Sequence, residues 1–134
     1  MDAHARRVVE ECTEASSAAT MKFPEIVGRL IDAGVEHYRA DLLRGEIAYF
    51  MPDGSSHIVP SAALSMTMPA EAFSAPGVEK AVRASQAGEI DFKRFCMEVA
   101  AAGCIGYLVS FPGRRVVYYG RTAETHVEPF PSAR

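Results

Sequence analysis

Residues 23–60 read FPEIVGRLIDAGVEHYRADLLRGEIAYFMPDGSSHIVP, and residues 92–129 read FKRFCMEVAAAGCIGYLVSFPGRRVVYYGRTAETHVEP. Both stretches follow one plan. An apolar stripe at helical spacing (Phe23, Ile26, Val27, Leu30, Ile31; then Phe92, Phe95, Cys96, Val99, Ala100) runs into a glycine, Gly34 or Gly103. A glycine at that point ends a helix in a left-handed C′ position. Three short strand-like runs follow. Val35–Leu42 and Cys104–Phe111 are the first pair, Glu46–Met51 and Arg115–Gly120 the second, and Ser56–Val59 and Thr125–Glu128 the third. Leu43-Arg44-Gly45, Pro112-Gly113-Arg114 and Asp53-Gly54 supply the turns.

The correspondence extends outward without a gap to residues 8–60 and 77–129, at a constant offset of 69. Twelve of the 53 aligned pairs are identical, among them Glu10/Glu79, Gly34/Gly103, Tyr38/Tyr107, Tyr49/Tyr118, His57/His126 and Pro60/Pro129. Chance in this composition would give roughly three or four. Each repeat adds a helix in front of its stripe, Ala3–Ser17 in the first and a segment after Ser74, with Pro76 in its first turn, in the second. Asp91 suits an N-cap. The connector is 61–76, where the alternation of Leu64, Met66 and Met68 suggests a short additional strand. The expectation is one α+β domain spanning 1–134, each repeat two helices plus a three-stranded antiparallel meander, with pseudo-two-fold symmetry. Side-by-side and face-to-face packing of the two meanders both satisfy the pattern.

Composition narrows the classes of function. The chain has 134 residues, is 49% hydrophobic and 23% charged, and carries a net charge of −3 with a pI near 5.8. That is ordinary globular composition without the basic balance of a nucleic-acid module. No apolar run reaches the ~20 residues of a membrane span, and MDAHARRVVEECTEASS has no apolar secretory core. The three cysteines, Cys12, Cys96 and Cys104, show no CxxC spacing, which suits free thiols in the cytoplasm.

Chemistry has few places to sit. A two-residue Asp53-Gly54 loop would set Phe50 opposite His57, and the offset would set Tyr119 opposite His126. A duplicated histidine–aromatic pair is a candidate ligand site, and His57 and His126 are the candidate proton-transfer groups of a small enzyme. Local stacking and hydrogen bonding is the simpler account of each pair. Glu124, His126 and Glu128 share a strand face, but the acids are not duplicated and no second ligand stands at a diagnostic spacing, so no metal is expected. Arg121 joins the ligand-site candidates, within a cluster that includes Arg114 and Arg115; solvated hairpin tips, with Arg121 paired to Glu124, are the plainer account. Cys96 falls on the helix stripe as core, whereas Cys104, at a strand start, is the thiol with access to solvent. No GxGxxG or P-loop occurs, and no cofactor is expected.

FPEIVGRLIDAGVEHYRADLLRGEIAYFMPDG and GEIDFKRFCMEVAAAGCIGYLVSFPGRRVVYYGRTAETHVEPFP resemble the bacterial YbcV-like family, most specifically in the YYGR…E-x-H-V-E-x-F-P ending. Members are often labelled phage envelope protein, and no activity is attached to them. The resemblance implies a small soluble bacterial protein and transfers no catalytic residue. Three readings of function follow: a module binding a small molecule or a protein through the surface near Phe50, His57, Tyr119 and His126; an enzyme using the two histidines; or a homodimer joined through an exposed sheet face.

Overall fold

In chain order the elements are α1 (Ala3–Ala18), α2 (Phe23–Asp32), β1 (His37–Asp41), β2 (Glu46–Phe50), β3 (Ser56–Pro60), α3 (Ala62–Ser65), α4 (Ala75–Gln86), α5 (Phe92–Ala101), β4 (Cys104–Ser110), β5 (Arg115–Gly120) and β6 (Thr125–Pro129). The computed structural model describes residues 1–131, so the last three residues of the expected 1–134 span lie outside it. Among the described residues no helix is long and apolar enough to cross a membrane.

Local chemistry sets the helix ends. Asp2 caps α1 by accepting from the Ala5 amide at 2.8 Å, and Asp91 caps α5 by accepting from the Arg94 amide at 2.9 Å. Helix α2 starts with proline in its first turn and closes through Gly34 N–H to the Ile31 carbonyl (2.9 Å) and Val35 N–H to the Leu30 carbonyl (3.1 Å). Its buried line is narrower than the stripe in sequence: Ile26 and Leu30 are buried, while Phe23 and Ile31 are each 50% exposed. Gly103 answers a second demand besides helix termination. A Cβ there would collide with the Ala72 carbonyl oxygen, so the connector can lie against the end of α5 only over a glycine.

The connector does not form a strand. Ser61 caps the short helix α3, its hydroxyl accepting from the Leu64 amide at 3.3 Å. Leu64 is fully buried, while Met66 and Met68 remain exposed. A helical turn buries Ala63 and Leu64 together, which an alternating strand would place on opposite faces.

The six strands form one sheet in the order β3-β2-β1-β4-β5-β6, every neighbour antiparallel. The meanders therefore join side by side, through β1 and β4, in an α+β architecture. Register at the join runs from His37↔Ser110 through Arg39↔Leu108 to Asp41↔Gly106. Adding 69 turns His37 into Gly106 and Asp41 into Ser110, so the outer two pairs exchange and the Arg39↔Leu108 pair stays in place. Burial alternates along the strands. Tyr38, Ala40, Ile47, Tyr49, Val59, Tyr107, Val109, Val116 and Tyr118 face the helices in one continuous core drawn from both halves of the chain. Tyr38 and Tyr49 meet at 5.3 Å and 40°, Tyr107 and Tyr118 at 5.3 Å and 41°. Among the described residues helices cover this face alone, and the other face of the sheet is open.

Candidate functional site

The open face is organised in three rows that run across the strands. The middle row, from β3 to β6, is Ile58, Ala48, Arg39, Leu108, Val117 and Val127. It is apolar except for Arg39. On one side lie Phe50, His37, Ser110 and Arg115, and on the other Glu46, Asp41, Gly106 and Tyr119. Arg115 makes the first flank basic, His37 there being paired with Glu36 at 3.0 Å, and Asp41 and Glu46 make the second acidic.

The flanks differ most at their centres. His37 stacks flat on Phe50, centroids 4.7 Å apart and planes within 6°, and the Arg39 guanidinium sits 5.3 Å from the same ring. The position that corresponds to His37 in the second half is Gly106. There the hydroxyl end of Tyr119 lies over the backbone, beside a hollow of about 220 Å3 lined by Arg39, Asp41, Glu46, Ala48 and Tyr119. Burial raises the Tyr119 phenol pKa; the Asp41 carboxylate adds to the shift and Arg39 opposes it. Asp41 Oδ1 accepts from the Leu43 and Arg44 amides, both at 2.9 Å, and Glu46 pairs with Arg44 at 3.0 Å. Arg39 has no carboxylate partner among the described residues.

The histidines are elsewhere. His57 pairs with Tyr49, not Phe50, and His126 with Tyr118, not Tyr119. The loops after β2 and β5 are the cause, the second closed by Gly120 N–H to the Glu124 carbonyl at 3.0 Å. Asp53 Oδ1 binds the Ser55 amide (2.8 Å) and hydroxyl (2.7 Å), Gly54 takes φ +87, and Met51 N–H reaches the Ser55 carbonyl at 2.9 Å. Three residues rather than two thus make the turn, and a shift of one residue moves every side chain to the other face. Phe50 and Tyr119 consequently lie on the open face, and His57 and His126 on the helix-covered one. The two histidines also occupy the two outermost strands, about 24 Å apart at ~4.8 Å per strand spacing. They do not meet in one site.

Each histidine finds a carboxylate beneath the helices. His57 Nε2 lies 2.8 Å from Glu10 Oε2 on α1. His126 Nε2 lies 3.3 Å from Glu128 Oε1, whose other oxygen accepts from Arg83 Nη1 at 2.7 Å. The identities Glu10/Glu79 and His57/His126 are the sequence signal for the first contact, and the shared strand face of His126 and Glu128 is the signal for the second. His37 and Gly106, which also shape the open face, carry none, because neither is duplicated, whereas Arg39 stands out in the sequence only as one of several arginines able to hold a phosphate or carboxylate.

Arg121 is exposed, and its expected pairing with Glu124 does not form; Glu124 accepts instead from the Thr122 hydroxyl at 2.8 Å. Cys104 is buried like Cys12 and Cys96, contrary to its expected access to solvent. Burial pushes its thiol up to about 12.

Six antiparallel strands, helices on one side and a patterned face on the other define an α+β protein with one sheet surface not covered by helices. The chain belongs to the family described as "Protein of unknown function (DUF1398)", whose model matches residues 12–128. No curated protein matches the chain.

Proposed function

We propose that this protein is a binding module whose working surface is the open sheet face, and that the face is occupied by a second copy of the chain. The observation that carries the reading is the middle row, an apolar stripe crossing all six strands and interrupted only by Arg39. Its outer members Ile58 and Val127 are 53% and 46% exposed. An apolar centre between charged flanks is the anatomy of a protein interface. The opposite charge of the flanks favours a copy over an unrelated partner. A two-fold axis between two stacked sheets, parallel to the middle rows, sets each acidic flank over the other molecule's basic flank. Six strands at ~4.8 Å and five residues at ~3.3 Å cover roughly 480 Å2 per molecule. The pair would bury about 1,000 Å2, the lower limit for a specific interface.

The reading takes the chain as a duplicated unit with pseudo-two-fold symmetry through the Arg39↔Leu108 pair. The matched tyrosine geometries and the exchanged register support this. It also keeps the bacterial setting that the YbcV-like resemblance implies and a cytoplasmic one, which three buried free thiols suit.

Sedimentation across a range of concentrations tests the proposal. A reversible dimer is expected, and Ile58→Glu with Val127→Glu should convert it to monomer with the melting temperature nearly unchanged, since both side chains are exposed. A chain that stays monomeric at several hundred micromolar would overturn it. A second reading rests on the hollow beside Gly106, which has room for a small molecule with an anionic group against Arg39 and a donor or acceptor against Tyr119. It predicts that a metabolite screen finds a stabilising ligand whose effect Arg39→Ala abolishes.

A further inference from the structure

We propose that Glu79, His126 and Glu128 form a binding site for a divalent transition-metal ion of the zinc type. One potential ligand atom from each residue lies within 4.8 Å of the other two. The sequence row Glu124–His126–Glu128 is not the set. Glu79 comes from α4 and approaches the strand from the covered face.

Three features give the cluster the character of a site. The first is geometry. His126 Nε2 and Glu128 Oε1 are 3.3 Å apart, the edge of a tetrahedron whose metal–ligand bonds are about 2.0–2.1 Å. The second is an outer partner. Arg83 Nη1 holds Glu128 Oε2 at 2.7 Å, leaving Oε1 turned to His126, and a ligating carboxylate is commonly oriented this way. Arg83 also touches Gln86 Oε1 at 3.0 Å and Glu79 Oε2 at 3.4 Å. Two carboxylates against one guanidinium leave a formal charge of −1 for a cation to offset.

The third feature is a comparison within the molecule. At the corresponding place in the first half, Glu10 and His57 close directly on each other at 2.8 Å. There Val59 stands in the position of Glu128 and Glu14 in that of Arg83. In the second half, where a third donor is present, Glu79 makes no hydrogen bond to His126, whose Nε2 turns to Glu128 Oε1 at 3.3 Å instead. His126 and Glu128 are largely buried, with side chains 18% and 10% exposed. Glu79 and Arg83 border a wide depression along α4 that is open to solvent. One imidazole and two carboxylates without a thiolate suit Zn2+ or Co2+ with a remaining position for water.

The experiment uses the full chain, freed of metal with a chelator and then titrated with Zn2+ by calorimetry near pH 7, with histidine ring signals followed by NMR. One equivalent should bind and shift the His126 resonances, while His57→Ala should bind as the parent does. His126→Ala and Glu79→Gln should each weaken binding by about tenfold or more. The Glu79 side chain is 51% exposed, so its variant stays folded even if His126→Ala does not. No saturable binding at millimolar Zn2+, equal loss in the His57 variant, or unchanged affinity in Glu79→Gln would each overturn the proposal.

Discussion

The hydroxyl end of Tyr119 occupies the space in which a Cβ on Gly106 would stand, and the Ala40 carbonyl oxygen bounds the same space at 2.8 Å. The tyrosine can lie down over the sheet only because its cross-strand neighbour has no side chain. In the first half the corresponding neighbour is His37, and the ring of Phe50 stacks on it instead. One residue difference therefore makes one flank of the open face filled and the other hollow.

Gly106→Ala should destabilise the protein by about 1–3 kcal/mol, the usual cost of overpacking. Tyr119→Ala in the same chain should recover part of the loss, since the phenol can move away and the Ala40 backbone cannot. Chemical denaturation of the two single variants and the double variant measures this coupling.

The loop after β5 carries a strained alanine. Ala123 has φ 63, and at the matching position of the first half Gly54 has φ 87. An alanine in the left-handed region costs about 1–2 kcal/mol, part of which is returned by its smaller chain entropy in the unfolded state. Ala123→Gly should stabilise by about 0.5–1 kcal/mol. Gly54→Ala should destabilise by a similar amount, and a Cβ there meets nothing within 4 Å, so the effect is of the backbone alone. Thermal unfolding of both variants reads the opposite signs.

Alkali should unfold the protein through its buried thiol and phenols. The Cys104 thiol titrates at about 12 when folded against 9.0 for an ordinary thiol. Below pH 9 it is protonated in both states and its contribution is fully present. Between pH 9 and 12 the unfolded chain gives up a proton that the folded chain retains, so stability falls as pH rises. Burial raises the Tyr38 and Tyr107 phenols in the same direction. The free energy of unfolding should decline steadily above pH 9, and less steeply in Cys104→Ala. A stability that is flat from pH 9 to 11 would contradict the burial.

Much of the architecture could be read along the chain because it is written in local signals. The stripes through Ile26/Leu30 and Phe95/Val99, the terminal glycines Gly34 and Gly103, and the cap at Asp91 each act within a few residues. Both helix pairs and both meanders formed where these signals lie. The connector did not follow, because Leu64, Met66 and Met68 alternate like a strand while the Ser61 cap and the burial of Ala63 and Leu64 together favour a helical turn. The candidate site was legible in its parts and wrong in its pairing. Phe50, Tyr119, His57 and His126 all stand out in the sequence, but three-residue loops at Pro52–Gly54 and Arg121–Ala123 send the rings to one face and the imidazoles to the other.

The sequence alone determined both helix pairs, both meanders and the alternation that gives the sheet one covered face, though not the helical turn of the connector, since periodicity and helix ends are properties of neighbouring residues. Only the tertiary structure decided that β1 pairs with β4, that Arg39 lies at the middle of an open face, and that Glu79 of α4 meets His126 and Glu128 of β6. Those contacts join residues far apart in the chain. They depend on hairpin register and on the seating of helices against the sheet, where a step of one residue reverses a side chain.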